Sequence, residues 1–146
     1  MEQAGYLCNL IYIMKGNATP IFEFSPELDT AILADLYGSD TLHTERIFKD
    51  FINLSGIFLT EFAGILENGT IKNLKAVIHK FKPMLFYAGF TAFYEQFEEF
   101  EIRCEKASQT GEIMLAYENI KNILIRSRKI IDAEINRLTV FNSAAS

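Results

Sequence analysis

The segment from Ile71 to Phe90 reads IKNLKAVIHKFKPMLFYAGF, and its apolar residues decide the fold. Ile71, Leu74, Ile78, Phe81 and Leu85 recur at alternating spacings of three and four, which puts them on one stripe of an α-helix. Gly89 ends the pattern. His79 stands one position off the stripe, so the pattern turns its imidazole to water. Lys82 lies one turn later, and Lys75 and Lys72 lie one and two turns earlier, on the same solvent face.

The same period returns on either side. From Asp40 or Thr41 to about Glu67, Ile47, Phe51, Leu54, Phe58 and Phe62 recur at helical spacing, and Phe48, Ile52, Leu59 and Leu66 widen the stripe. Asn68-Gly69-Thr70 is the stop and turn; its match to a glycosylation acceptor reads as chance. After Gly89, Phe90, Phe93, Phe97, Phe100 and Cys104 mark a helix that runs to about Lys106. SQTG (Ser108–Gly111) is a turn, and Tyr117, Ile120, Leu124, Ile131, Ile135 and Leu138 mark a last helix from Glu112 to about Leu138. Upstream, TPIFEFSP (Thr19–Pro26) reads as extended, held between two prolines. A short helix follows from Glu27 to about Tyr37, capped by Ser25 with Pro26 in the first helical position. The sequence has no strand alternation and no internal repeat. The expected fold is all-α, an antiparallel up-down four-helix bundle with an extra short N-terminal helix. Residues 19–140 form one domain in this reading, 1–18 an N-terminal extension and 141–146 a frayed tail.

The chain has 146 residues, enough for one domain with a real core. Thirteen phenylalanines and no tryptophan mean that phenylalanine supplies much of the packing volume. A net charge of −5 without a basic patch argues against nucleic-acid binding. Cys8 and Cys104 have no metal-ligand spacing and read as buried thiols of a reducing, cytoplasmic compartment. The apolar run MEQAGYLCNLIYIM (Met1–Met14) is shorter than the ~20 residues a membrane span needs. Its acidic Glu2 and lack of a cleavage site argue against a leader. It reads either as a short helix covering the end of the bundle or as an extension ahead of Met14.

Around His79, Lys75 and Lys82 supply positive charge for an anion or phosphoryl group. Pro83 removes the amide that would bond the His79 carbonyl and, with Phe86, offers a compact apolar docking patch. His79, Phe81, Lys82, Pro83 and Gly89 together resemble the signature of histidine-containing phosphotransfer (HPt) domains. That signature is a histidine, then an apolar residue, a lysine and a small residue at two, three and four places on, and a glycine at ten. The resemblance extends from about Phe24 to Leu138. The departure is Pro83, where the family usually has glycine, and it bears on docking geometry rather than on the chemistry.

The resemblance implies a phosphorelay carrier, not a kinase. His79 would accept a phosphoryl group from a receiver-domain aspartate and pass it to another receiver. It implies Lys82 as a helper and picks Glu101 out of the acidic set Glu95, Glu98, Glu99 and Glu101 as the group that bonds the ring. Lys75, Pro83 and Phe86 would form the docking surface, with Gly89 as the structural turn. The partners implied are receiver domains of response regulators or hybrid histidine kinases, with no nucleic acid and no membrane, and the carrier would be a monomer. No cofactor or metal of its own is implied; magnesium belongs to the receiver. A second reading is a helical docking module that binds a receiver or another partner without carrying phosphate. A third is a piece of a chemotaxis-type kinase. His43, in the first turn of the long helix, reads as a surface residue.

Overall fold

A computed structural model describes residues 20–68 and 70–145. The N-terminal extension with its apolar run and Cys8, the Gly69 of the acceptor motif, and Ser146 lie outside the described residues. Among those described, the chain is all-helical: α1 (Thr30–Tyr37), α2 (Thr41–Asn68), α3 (Leu74–Tyr87), α4 (Thr91–Lys106) and α5 (Met114–Ala145), with single 3-10 turns at Ile71–Asn73 and Thr110–Glu112. The helices form a bundle-like fold in which α2 packs on α5 and α3, α3 packs on α4, and α4 also touches α5. Short α1 lies against α2 and α3.

Phenylalanine fills the interior, as the composition implies. Phe48, Phe51, Phe58, Phe62 and Phe97 are all fully or almost fully buried. Phe58 meets the rings of Phe62, Phe81 and Phe97 at 5.5, 5.1 and 6.1 Å, so one side chain joins α2, α3 and α4. Phe62 stacks on Tyr117 of α5 at 4.6 Å. The α3 stripe is buried at Leu74, Ile78, Phe81 and Leu85, while Ile71 is half-buried.

The structure corrects three expectations. Asp29, not Ser25, caps α1: its Oδ1 accepts the Ile32 amide at 3.1 Å and its Oδ2 accepts the Thr91 hydroxyl at 2.7 Å. Pro26 and Glu27 form a turn instead of the first helical residues, closed by the Leu28 amide on the Ser25 carbonyl at 3.0 Å. On α2 the seam runs through Phe48, Phe51, Ser55, Phe58 and Phe62, while Ile47 and Leu54 are only half-buried. Finally, residues 141–145 of the expected frayed tail are helical. Phe141 packs edge-on to Phe22 at 5.4 Å, and Asn142 accepts the Thr41 hydroxyl at 2.6 Å, so α5 continues to Ala145.

Gly89 ends α3 with a paired cap. The Phe90 amide bonds the Leu85 carbonyl at 2.7 Å and the Gly89 amide bonds that of Phe86 at 3.1 Å, with Gly89 at φ +84°. Its carbonyl also receives the Asp29 amide at 2.8 Å, tying α1 to the turn. A Cβ here would lie 3.1 Å from Leu33 Cδ1 and 3.3 Å from Leu28 Cβ. Gly89→Ala is therefore expected to destabilise the fold by about 1–3 kcal/mol, through strain at positive φ and contact with two buried leucines. A urea titration with unchanged slope and a lower midpoint checks this.

Candidate functional site

His79 sits mid-way along α3 with its side chain 74% exposed, as its place off the apolar stripe predicts. Its Nδ1 lies 3.0 Å from Glu101 Oε1 on α4. The other carboxylate oxygen of Glu101 accepts a hydrogen bond from Lys82 Nζ at 2.8 Å. Glu101 thus bridges a solvent-facing imidazole and an ammonium group.

Three rungs cross between α3 and α4: Lys75–Glu105 at 2.9 Å, His79–Glu101 at 3.0 Å and Lys82–Glu98 at 3.8 Å. Residue numbers rise on one helix as they fall on the other, so the two run in opposite directions here. A rigid support lies beneath them, because Ile78 and Phe81 on α3 and Phe97 and Phe100 on α4 are all buried.

Lys82 departs from the sequence reading. It is not on the solvent face: its side chain is 8% exposed, and that of Glu101 is 9% exposed. Lys82 follows Phe81, at the edge of the stripe that faces α4. Its Nζ can lie there only because Glu101 neutralises it, with the Tyr94 ring 5.1 Å away. The hydrogen bond that Lys82 donates to Glu101 raises the Lys82 pKa, against the effect of burial. For Glu101, burial pushes the carboxyl pKa upward, but the hydrogen bonds from Lys82 and His79, together with their charges, outweigh it and hold it below its ordinary value.

The other residues singled out by sequence stand as follows. Lys75 is exposed and paired with Glu105. Lys72 is exposed, as is Pro83, which lies within an unbroken α3. Phe86 is exposed one turn further along. His43 is exposed, its ring edge-on to Tyr37. Cys104 is free and buried, and burial pushes its thiol pKa up to about 12. Among the described residues, no group of three or more His, Cys, Asp or Glu could hold a metal ion, and no helix is long and apolar enough to cross a membrane. Sequence reasoning missed Tyr94 and Glu105 and gave Glu98 no role; the two glutamates are recoverable only by stepping one helical turn either way from Glu101. No protein-family model, no curated protein and no solved structure matches this chain.

The shared carboxylate has a consequence for stability. A glutamate whose folded-state pKa is depressed stabilises the fold fully above its unfolded value, about 4.3, and this contribution disappears as pH falls through the lower folded value. Wild type should therefore lose stability on acidification more steeply than Glu101→Gln. Denaturation midpoints at intervals between pH 7 and 3 check this, and parallel curves for the two proteins would refute it.

Proposed function

We propose that this chain is a phosphorelay carrier of the histidine-phosphotransfer type, with His79 as phosphoryl acceptor. In this reading, α2–α5 are the antiparallel up-down four-helix bundle, and α1 is its extra short N-terminal helix. The partners are receiver domains in the cytoplasm. One observation carries the reading: an exposed imidazole whose Nδ1 is tied to a buried, ion-paired carboxylate.

The chemistry follows from that geometry. A carboxylate only accepts, so Glu101 keeps the ring proton on Nδ1 and leaves the Nε2 lone pair free towards solvent. Nε2 attacks the phosphorus of a receiver's aspartyl phosphate. The Nε2–P bond forms as the P–O bond to aspartate breaks, and the electron pair leaves on the aspartate oxygen. Nδ1–H remains, and the positive charge on the ring faces Glu101. Delivery to a second receiver reverses these steps. Magnesium belongs to the receiver, and this chain supplies nucleophile, orientation and a docking face at Lys75, Pro83 and Phe86.

The test is incubation with a phosphorylated receiver domain and magnesium, followed by intact mass and lability. The expected product is a phosphoryl adduct on His79 that survives alkali and is lost in acid. Receiver binding without transfer would replace the reading with that of a docking module that carries no phosphate.

A further inference from the structure

The two lysines beside His79 are held very differently. Lys82 is buried, bonded to Glu101 at 2.8 Å and flanked by Glu98 at 3.8 Å. Withdrawing it would break the buried 2.8 Å ion pair with Glu101, a costly step. Lys75 is 50% exposed and, among the described residues, pairs with Glu105, itself 56% exposed. Such a pair is held weakly and exchanges readily. Beside that rung an open depression of about 540 Å³, lined by Ile71, Lys72, Lys75, Cys104, Glu105 and Ser108, leaves the Lys75 side chain room to move. His79 does not line it. Lys80 lines a separate crevice with Glu61 of α2 and so faces away.

We infer that Lys75 changes partners when His79 is phosphorylated, leaving Glu105 for the phosphoryl group, while Lys82 stays with Glu101. The inference rests on the phosphoryl-acceptor reading of His79. Four residues of helix place Lys75 about 6 Å along the axis from His79, within reach of a flexible lysine. A phosphoryl group on Nε2 carries close to two negative charges, more than the single charge of Glu105. The charged groups nearest it are Lys75 and Lys82 from α3, Lys72 from the 3-10 turn that precedes α3, and Glu98, Glu101 and Glu105 from α4. Of the three lysines, Lys82 is already engaged and Lys72 lies two turns away. Lys82 is thus a positioning residue acting through Glu101, and phosphorylation leaves the Glu105 carboxylate bare as a local mark of the loaded state.

The test loads the protein without a receiver. In a His43→Gln background, phosphoramidate phosphorylates His79: the Nε2–P bond forms, the P–N bond of the donor breaks, and ammonia leaves. Phosphorus NMR then follows the phosphoryl ionisation against pH. Lys75→Gln is expected to weaken that ionisation by about two- to fivefold, the factor that one exposed charge pair supplies. Glu105→Gln, which frees Lys75, should shift it the opposite way. Lys72→Gln, about 10 Å away along the axis and near the screening length, should leave it almost unmoved. An unchanged ionisation in Lys75→Gln, an equal change in Lys72→Gln, or no label on His79 would overturn the exchange. If no receiver loads the chain but phosphoramidate does, the relay reading fails, and the titration still decides the Lys75 exchange.

Discussion

Replacing His79 with glutamine is expected to reduce phosphoryl uptake from a phosphorylated receiver to background, while the thermal unfolding midpoint stays almost unchanged. Glutamine has no nucleophilic nitrogen, since its amide lone pair is delocalised, so no slower route to the same adduct remains. Stability is spared because the histidine side chain is 74% exposed and buries little apolar surface. Surface replacements of this kind stay within about ±0.5 kcal/mol. A glutamine amide can also still donate to Glu101. The companion variant Glu101→Gln should behave differently. It keeps a hydrogen-bond partner for the ring but can present either an acceptor or a donor to it, so the tautomer is no longer enforced. Uptake should fall by about 10- to 100-fold, as when an orienting partner is lost behind a reactive histidine. The two variants separate the nucleophile from the group that aims it. Equal uptake in wild type and His79→Gln, measured by acid-labile phosphate per chain, would end the phosphorelay reading.

The parts of this molecule that were legible in sequence are those set by one helix alone. The α3 stripe is buried at Leu74, Ile78, Phe81 and Leu85, because its three-and-four spacing leaves only one way to face the core. The exposure of His79 follows from the same pattern. On α2 the pattern misled, because both flanks of the stripe are apolar and the true seam includes a serine. Ser55 is fully buried, with its hydroxyl accepting from Arg128 of α5 at 2.6 Å, and the same guanidinium nitrogen donates to the Ile52 carbonyl at 2.6 Å. A hydrophobicity pattern cannot register a buried serine whose partner lies 73 residues away.

The burial of Lys82 escapes the sequence pattern for a related reason. Taken alone, a lysine belongs in water. It goes inside here only because a carboxylate from another helix meets it, and that pairing depends on how α3 and α4 are aligned. Glu101 is likewise indistinguishable by spacing from Glu98 and its acidic neighbours, and it was singled out by resemblance alone. The cap of α1 depends on contacts too. Ser25 and Pro26 make a good local start signal, but the Ser25 amide is held by Glu134 of α5 at 3.1 Å, and Arg137 donates to the Glu23 carbonyl at 2.7 Å. The extended segment is thereby pinned, and the helix starts at Thr30, where Asp29 can cap it and also reach Thr91.

Truncating Phe58 to alanine is expected to cost about 3–5 kcal/mol, the range for emptying a buried aromatic site. Phe58 is 2% exposed, and its ring contacts Phe62, Phe81 and Phe97. Those neighbours belong to three different helices, so no single rigid shift closes the gap that the missing ring leaves. For a domain whose whole stability is of order 5–15 kcal/mol, this is a large fraction. Phe86→Ala is the matched control: the same atoms are removed, but this residue is 39% exposed, and the loss should cost well under half as much. Chemical denaturation of both variants checks the contrast, and similar costs would mean that the phenylalanine cluster is not the mechanical centre of the fold. The effect should also reach the candidate site. Phe81 lies two residues from His79, and Phe97 one turn from Glu101, so both hydrogen bonds of the His79–Glu101–Lys82 network rest on rings that Phe58 holds. Hydrogen exchange in Phe58→Ala should therefore accelerate at amides of α3 and α4 around these residues, ahead of those near Phe22 and Phe141 at the far end of α5.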